Sequence, residues 1–200
     1  MFSSKDYWET RYRDGGNSGV GSYQKFAEFK AEFVNNLLEL YSIETVLEFG
    51  VGDGNQLSYL KVKNYVGIDV SRTAIERCKS LYANDTNKSF VHKDDFIITD
   101  KADMTLSMDV IYHLIEDEVF EQYMEDLFES SKCLVCIYAS NTESQLGEDN
   151  TAHVKHRKFS DWVVKNRPDS RLVYYKQNKY PYNGDYKTTS FSNFYVYRVA

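Results

Sequence analysis

Only two prolines, Pro168 and Pro181, and three cysteines occur among the 200 residues. An odd, low cysteine count gives no disulfide framework, so stability has to come from a buried core. No stretch approaches the roughly 18 consecutive apolar residues of a membrane span. The first residues, Met1 to Asp6, carry no apolar signal core. These absences predict a cytoplasmic chain with no membrane partner. Internal repeats, low-complexity tracts and Pro/Gly-rich linkers are also lacking, so one domain over 1–200 is expected. Bases are scarce in the middle: residues 94–149 hold fifteen carboxylates against Lys101 and Lys132. The net charge of −6 argues against general nucleic-acid binding. Residues 151–189 reverse the balance, with nine Lys or Arg against Asp161, Asp169 and Asp185. That block either neutralises the acidic part across the fold or meets an anionic substrate.

Hydrophobic periodicity supplies the elements. Phe26, Phe29, Phe33, Val34, Leu37 and Leu38 recur at helical spacing over 23–41. A strand over 45–49 follows, then a glycine-rich turn, a short helix over 55–60 and a strand over 65–68 ending at Asp69. Thr73 and Glu76 have capping-box spacing and are expected to open a helix. Short strands over 89–91 and 104–108, an amphipathic helix over 116–130 and a buried strand over 133–138 come next. A polar loop over 141–150, a helix over 161–165 and strands over 172–175 and 194–199 complete the chain. Cys133 and Cys136 flank a strand pattern, and residues three apart on a strand face opposite ways. No metal site with His153 and His156 is therefore expected. Strands alternating with helices predict an α/β fold, a mostly parallel sheet with helices on both faces. Ligands in such sheets sit beyond the carboxyl ends of the strands.

The first strand runs into Glu48-Phe49-Gly50-Val51-Gly52-Asp53-Gly54, whose alternate glycines permit a sharp turn and close backbone approach. Position 55 is Asn, so the G-x-G-x-x-G dinucleotide fingerprint fails. An acidic residue at the end of the second strand, Asp69, suits two ribose hydroxyls. E-x-G-x-G-x-G followed by strand-Asp resembles the first two motifs of class I S-adenosylmethionine-dependent methyltransferases. The resemblance implies a Rossmann-like, doubly wound, seven-stranded sheet with a terminal antiparallel strand pair. It implies S-adenosyl-L-methionine as cofactor, with Glu48, Gly50, Gly52 and Gly54 at its methionine end. By the same resemblance Asp69 meets the ribose, Val70 the adenine, and Asp95 and Phe96 the adenine amino group and ring. Ser107 begins a segment that borders cofactor and substrate.

Acceptor chemistry requires a proton to leave as the methyl group arrives. His113 is a candidate base, with Asp109 orienting it from one helix face or acting in its place. Tyr112 lies between them. In the basic block 153–159, His156 is a second candidate base, and His153 and Arg157 are candidates for an anionic acceptor. Residues 1–30 are expected to form a lid over a core of 31–200, with Tyr12 or Tyr23 against the sulfonium and Lys25 near the acceptor. The wider pattern is similar to a small bacterial subgroup associated with surface-glycan and small-molecule methylation. The leading expectation is transfer to an oxygen of a sugar or other anionic metabolite. Methylation of a small amine and a non-catalytic cofactor-binding domain are the alternatives.

Overall fold

The computed structural model describes residues 2–99, 101–145 and 151–200. Seven strands form one sheet: β1 (Thr45–Phe49), β2 (Asn64–Asp69), β3 (Lys88–His92), β4 (Ala102–Met108), β5 (Ser131–Ala139), β6 (Arg171–Lys176) and β7 (Asn193–Arg198). Their order is β3-β2-β1-β4-β5-β7-β6. The first five run parallel, and β7 lies antiparallel between β5 and β6. Five helices accompany them: α1 (Ser4–Arg13), α2 (Gln24–Leu40), α3 (Arg72–Leu81), α4 (Asp117–Glu129) and α5 (Phe159–Asn166). None is long and apolar enough to cross a membrane among the described residues.

Alternation along the strands builds the layers, because successive side chains leave opposite faces. In β5, Leu134, Cys136 and Tyr138 join Val34 and Leu37 of α2 and Ile75 of α3 in one apolar layer. Val135, Ile137 and Ala139 face the other way, into Met124 and Leu127 of α4 and Trp162 of α5. Both faces are thus buried, which is why β5 reads as a continuous apolar run. Cys133 and Cys136 stay in this strand as free thiols.

Four local readings change. Residues 4–13, expected only as part of a lid, form α1, capped by Ser3, whose side chain accepts from the Asp6 amide. The cap of α3 is Ser71, accepting from the Ala74 amide, two residues before the expected capping box. The segment after the glycines is a 3₁₀ turn, Gln56–Tyr59, rather than an α-helix. The expected helix from Asp109 is also a 3₁₀ turn, Ile111–His113, because Asp109 itself takes a left-handed φ of 59°. Of the expected polar loop, residues 146–150 lie outside the described residues.

The turn after β1 leaves no room for side chains. Gly50 has φ +88°, and a Cβ there would meet Val110 Cγ2 at 2.4 Å. Gly184 shares the strained region, at φ +105°, but has nothing within 4 Å. Gly50→Ala is expected to destabilise by about 1–3 kcal/mol from backbone strain plus the clash. Gly184→Ala is expected to show the strain alone. Urea unfolding of both variants checks this, and equal losses would remove the clash from the account.

Candidate active site

Two cavities open at the carboxyl ends of the central strands. The first, about 450 Å³, is floored by Glu48, Gly50 and Asp69 and walled by Gln122 and Tyr123 of α4. Ser4, Lys5 and Trp8 of α1 roof it. The second, about 610 Å³, lies between α1, the segment after Gly19 and the loop joining β6 to β7. Trp8, Ser18, Asp109 and His113 border both. A group in one cavity is therefore separated from a group in the other only by these side chains.

Polar contacts hold the roof down. The Ser4 amide donates to Glu116 Oε1 (2.9 Å), Lys5 pairs with Asp94 (2.6 Å), and Glu9 accepts from Ser71 and Thr73 hydroxyls (2.7 and 2.6 Å). Asp53 Oδ2 accepts from the Ser18 amide (2.8 Å) and the Tyr23 hydroxyl (2.7 Å). The glycine turn is thereby tied to the N-terminal segment.

The floor is acidic and dry. Burial raises the Glu48 carboxyl to about 7, while the Tyr65 hydroxyl and the Lys30 ammonium pull the other way. Burial likewise raises Asp69 to about 6, against amide donors from Ser71 and Gly52, each 2.9 Å from one of its oxygens. Gln56 lines the same cavity; its amide NH₂ donates to the Ala27 carbonyl, and its Oε1 is buried with no partner among the described residues.

The wall between the cavities is fixed by two residues. Asp109 pairs with the fully buried Lys30 (2.9 Å) through Oδ2 and accepts from the Tyr112 (2.9 Å) and Ser192 (2.8 Å) hydroxyls through Oδ1. His113 Nδ1 lies 2.8 Å from the His153 carbonyl oxygen. A carbonyl only accepts, so Nδ1 carries the proton and Nε2 presents its lone pair. Burial pushes this imidazole down to about 4, so it is neutral at ordinary pH. Its ring is boxed by Trp8, edge-on at 4.9 Å, and His153, stacked at 5.4 Å.

These positions redraw the expected site. Glu48, Gly50, Asp69, Val70, Asp109 and His113 border the first cavity, and Tyr112 and His153 the second. His113 is oriented by the His153 carbonyl and not by Asp109, since the 3₁₀ turn does not bring the two side chains together. Gly52 and Gly54 do not border the cavity. A Cβ on Gly52 would strike Ser18 and Tyr12, and Gly54 packs on Cys78 and Tyr82 of α3 and the residue after it. Asp95 is exposed and paired with Arg72, and Phe96 packs edge-on against Phe49. Lys93 takes their place at the cavity edge. Ser107 is fully buried beneath the Tyr123 hydroxyl, 2.7 Å away. Tyr12 is spent on Ser18 and the glycine turn, and Tyr23 on Asp53, so neither faces the cavity. His156 is buried against the Ser140 hydroxyl (2.6 Å). Arg157 is committed to Asp117 (2.6 Å) and the Ile115 carbonyl. Lys25 binds the Thr188 carbonyl (2.8 Å). All three lie outside both cavities.

Sequence reasoning missed Lys30, Trp8 and Gln56. Lys30 had a legible signal: it stands on the apolar stripe of α2, between Phe26, Phe29, Phe33 and Val34, where a lysine is out of place unless paired.

Comparison with known proteins now bears on this geometry. Residues 46–132 match the family model described as a methyltransferase domain. No curated protein matches the chain by sequence. The N-methyltransferase NodS from Bradyrhizobium japonicum, in complex with S-adenosyl-L-homocysteine, superposes with a TM-score of 0.70 at 15% identity, covering 99% of each chain. Magnesium protoporphyrin IX methyltransferase from Synechocystis, with bound cofactor, gives 0.66 at 13% identity over 100% of this chain and 99% of the other. The methyltransferase domain of a bacterial Hen1 gives 0.65 at 20% identity over 86% and 97%. The chain has the class I S-adenosylmethionine-dependent methyltransferase fold, and residues 46–132 are the part that matches the methyltransferase-domain model. The first cavity fits that cofactor chemically. It offers two carboxylates, an unpartnered buried amide oxygen and an apolar wall of Val70, Val110 and Leu114.

Removing one partner of a buried ion pair strands the other charge, at about 3–5 kcal/mol. Lys30→Met is expected to destabilise by that order in urea unfolding. Lys30→Met combined with Asp109→Asn is expected to recover part of the loss. Additive losses in the double variant would show that the pair is not coupled.

Proposed function

We propose that this class I methyltransferase transfers the methyl group of S-adenosylmethionine to an oxygen of a small anionic molecule held in the second cavity. One observation carries the reading: His113 stands on the wall shared by the two cavities and presents an unprotonated Nε2. Bound cofactor supplies an electrophilic methyl carbon on a sulfonium, whose C–S electron pair stays with sulfur as the new C–O bond forms. His113 Nε2 accepts the proton that the acceptor oxygen sheds. A neutral imidazole of low pKa is a weak base, but the oxygen becomes strongly acidic as the methyl bond forms, so a late proton transfer suffices.

Glu48 and the orphan Gln56 Oε1 accept from the cofactor's ammonium group, which also relieves the buried carboxyl of Glu48. Asp69 accepts from the Ser71 and Gly52 amides, with the Val70 amide adding to them, and its remaining acceptor capacity suits the ribose hydroxyls. Val70 lies against the adenine. The lid expected over residues 1–30 narrows to the part before α2, because Phe26, Ala27, Phe29 and Lys30 of α2 are buried in the body of the fold: α1 closes over the first cavity, and Trp8 excludes solvent from the transfer point. The net charge of −6 supports a small acceptor over RNA, although one similar structure is a small RNA methyltransferase. Among the described residues an amine acceptor finds no free carboxylate in the second cavity, since Asp109 is neutralised by Lys30. Nothing in the lining speaks for the surface-glycan pathway in particular.

Titration with S-adenosylhomocysteine tests the cofactor site. Its ammonium and ribose hydroxyls favour ionised Glu48 and Asp69, whose carboxyls sit near 7 and 6 in the free protein. Binding is therefore expected to release protons, and affinity to rise with pH between about 5 and 7. Calorimetry in buffers of different ionisation enthalpy reads this directly, and no buffer dependence would remove both carboxyls from the site. His113→Ala is expected to lower kcat by on the order of 10². In the unaltered protein kcat should stay flat from neutral pH down to about 5 and fall only as His113 protonates near 4. An acid limb centred near the ordinary histidine value would assign the proton transfer elsewhere.

A further inference from the structure

We infer that the second cavity is built for an aromatic acid: a planar ring with a carboxylate at one end and the acceptor hydroxyl at the other. The inference rests on the methyl-transfer reading above and specifies its acceptor.

The walls are rings. Trp8, Phe26, Tyr112, Tyr182, Tyr186 and Phe191 border the cavity, beside the imidazoles of His113 and His153. Several are already set edge to face: Phe191 lies edge-on to Tyr112 at 5.0 Å and to Tyr182 at 5.7 Å. Such arrays leave ring faces and edges for a further planar ring. A volume of about 610 Å³ is in the range of small-molecule sites.

The polar lining selects among ring-shaped or cyclic ligands. Among the described residues no Asn, Gln or Glu borders the cavity, and the one carboxylate among them, Asp109, already accepts from Lys30, Tyr112 and Ser192. A sugar carries a hydroxyl on almost every ring carbon and is recognised by planar amides and carboxylates that take several of them at once. This cavity lacks those groups. Its free charge is positive. Arg11 donates through Nε to the Asn17 carbonyl (2.6 Å) and lies over the Trp8 ring (5.6 Å), while Lys187 extends from the β6–β7 loop. Neither forms an ion pair among the described residues. Arg11 also lowers His153, after burial; at His113 its effect comes after burial and the His153 ring, and Asp109 pulls the other way. A ligand carboxylate taken by Arg11 or Lys187 leaves its ring among the aromatic walls and its hydroxyl for His113, which borders the same cavity. An aromatic amine meets the same rings but the wrong charge.

The test is calorimetric titration of the full chain saturated with S-adenosylhomocysteine, using 4-hydroxybenzoate, glucuronate and tyramine as probes. The expected result is 4-hydroxybenzoate binding at least tenfold more tightly than either of the others. Lys187→Glu, on an exposed loop, should cost at least tenfold in that affinity and leave S-adenosylhomocysteine binding within twofold. Arg11→Gln should act in the same direction. Equal or tighter binding of glucuronate or tyramine overturns the inference, as does no 4-hydroxybenzoate binding by protein that holds S-adenosylhomocysteine, or indifference to both substitutions. Failure to bind S-adenosylhomocysteine at all overturns instead the methyl-transfer reading on which it rests.

Discussion

The buried pair between Lys30 and Asp109 is the constraint on which the site depends. Lys30 belongs to α2, outside the glycine turn and the strand ends, yet its ammonium reaches the end of β4. There Asp109 sits in a left-handed conformation that few residues other than glycine, Asn and Asp adopt readily. Ser192, just before β7, and Tyr112 complete its coordination. Three parts of the chain, α2, the segment after β4 and the residue before β7, therefore meet on one carboxylate. A buried ion pair recovers little net stability over an apolar substitute. What this one contributes is position: it holds the β4 end as a thin wall with a cavity on either side. The same turn sets the His113 ring on that wall.

The body and the roof of the molecule are held by different physics. The sheet packs between two dry apolar layers, whose opening would expose large hydrophobic area. α1 is fastened by Ser4 to Glu116, Lys5 to Asp94 and Glu9 to Ser71 and Thr73. Of these, the exposed Lys5–Asp94 pair contributes on the order of 0–1 kcal/mol, and the others are half-buried polar contacts at the rim. Water can replace them one at a time, so the roof can open at far lower free energy than the core. A first cavity closed by such a roof admits a ligand without disturbing the sheet. Trp8, which borders both cavities, must move with it.

Legibility in the sequence followed the strength of local signals. β1 and the turn after it were readable because apolar residues run straight into alternate glycines, and the structure gives a reason for each glycine that lies in contact with side chains. β5 was readable because both of its faces are buried. α1 was not: its residues are mostly charged or polar, and its aromatic side chains Tyr7, Trp8 and Tyr12 serve three different surroundings rather than one apolar stripe. The 3₁₀ turn at Ile111–His113 was hidden because i, i+4 spacing assumes a helix that the left-handed Asp109 forbids. Asp95 and Phe96 follow a short strand whose end no apolar run marks, and Lys93, two and three residues before them, is the one that borders the first cavity. Tyr12 and Tyr23 show the limit of composition: among 17 tyrosines, chemistry alone does not say which reach the site.

The charge asymmetry of the sequence had two readings, and the structure apportions them. Three of the nine bases in 151–189 are absorbed by α4. Arg157 and Lys155 both bind Asp117, Arg167 binds Glu125 and Glu129, and the Trp162 indole donates to Glu121. Arg157 and His156 thus anchor the segment and leave the chemistry to its backbone, since it is the His153 carbonyl that fixes the tautomer of His113. The positive charge that faces the second cavity without an ion pair among the described residues comes from Arg11, in α1, and from Lys187, one of the nine bases but remote from the 153–159 run. Charges in a dense block tend to be spent on one another's counterparts across the fold. The isolated arginine and lysine beside a ring-lined cavity are the ones left with a field to offer a ligand.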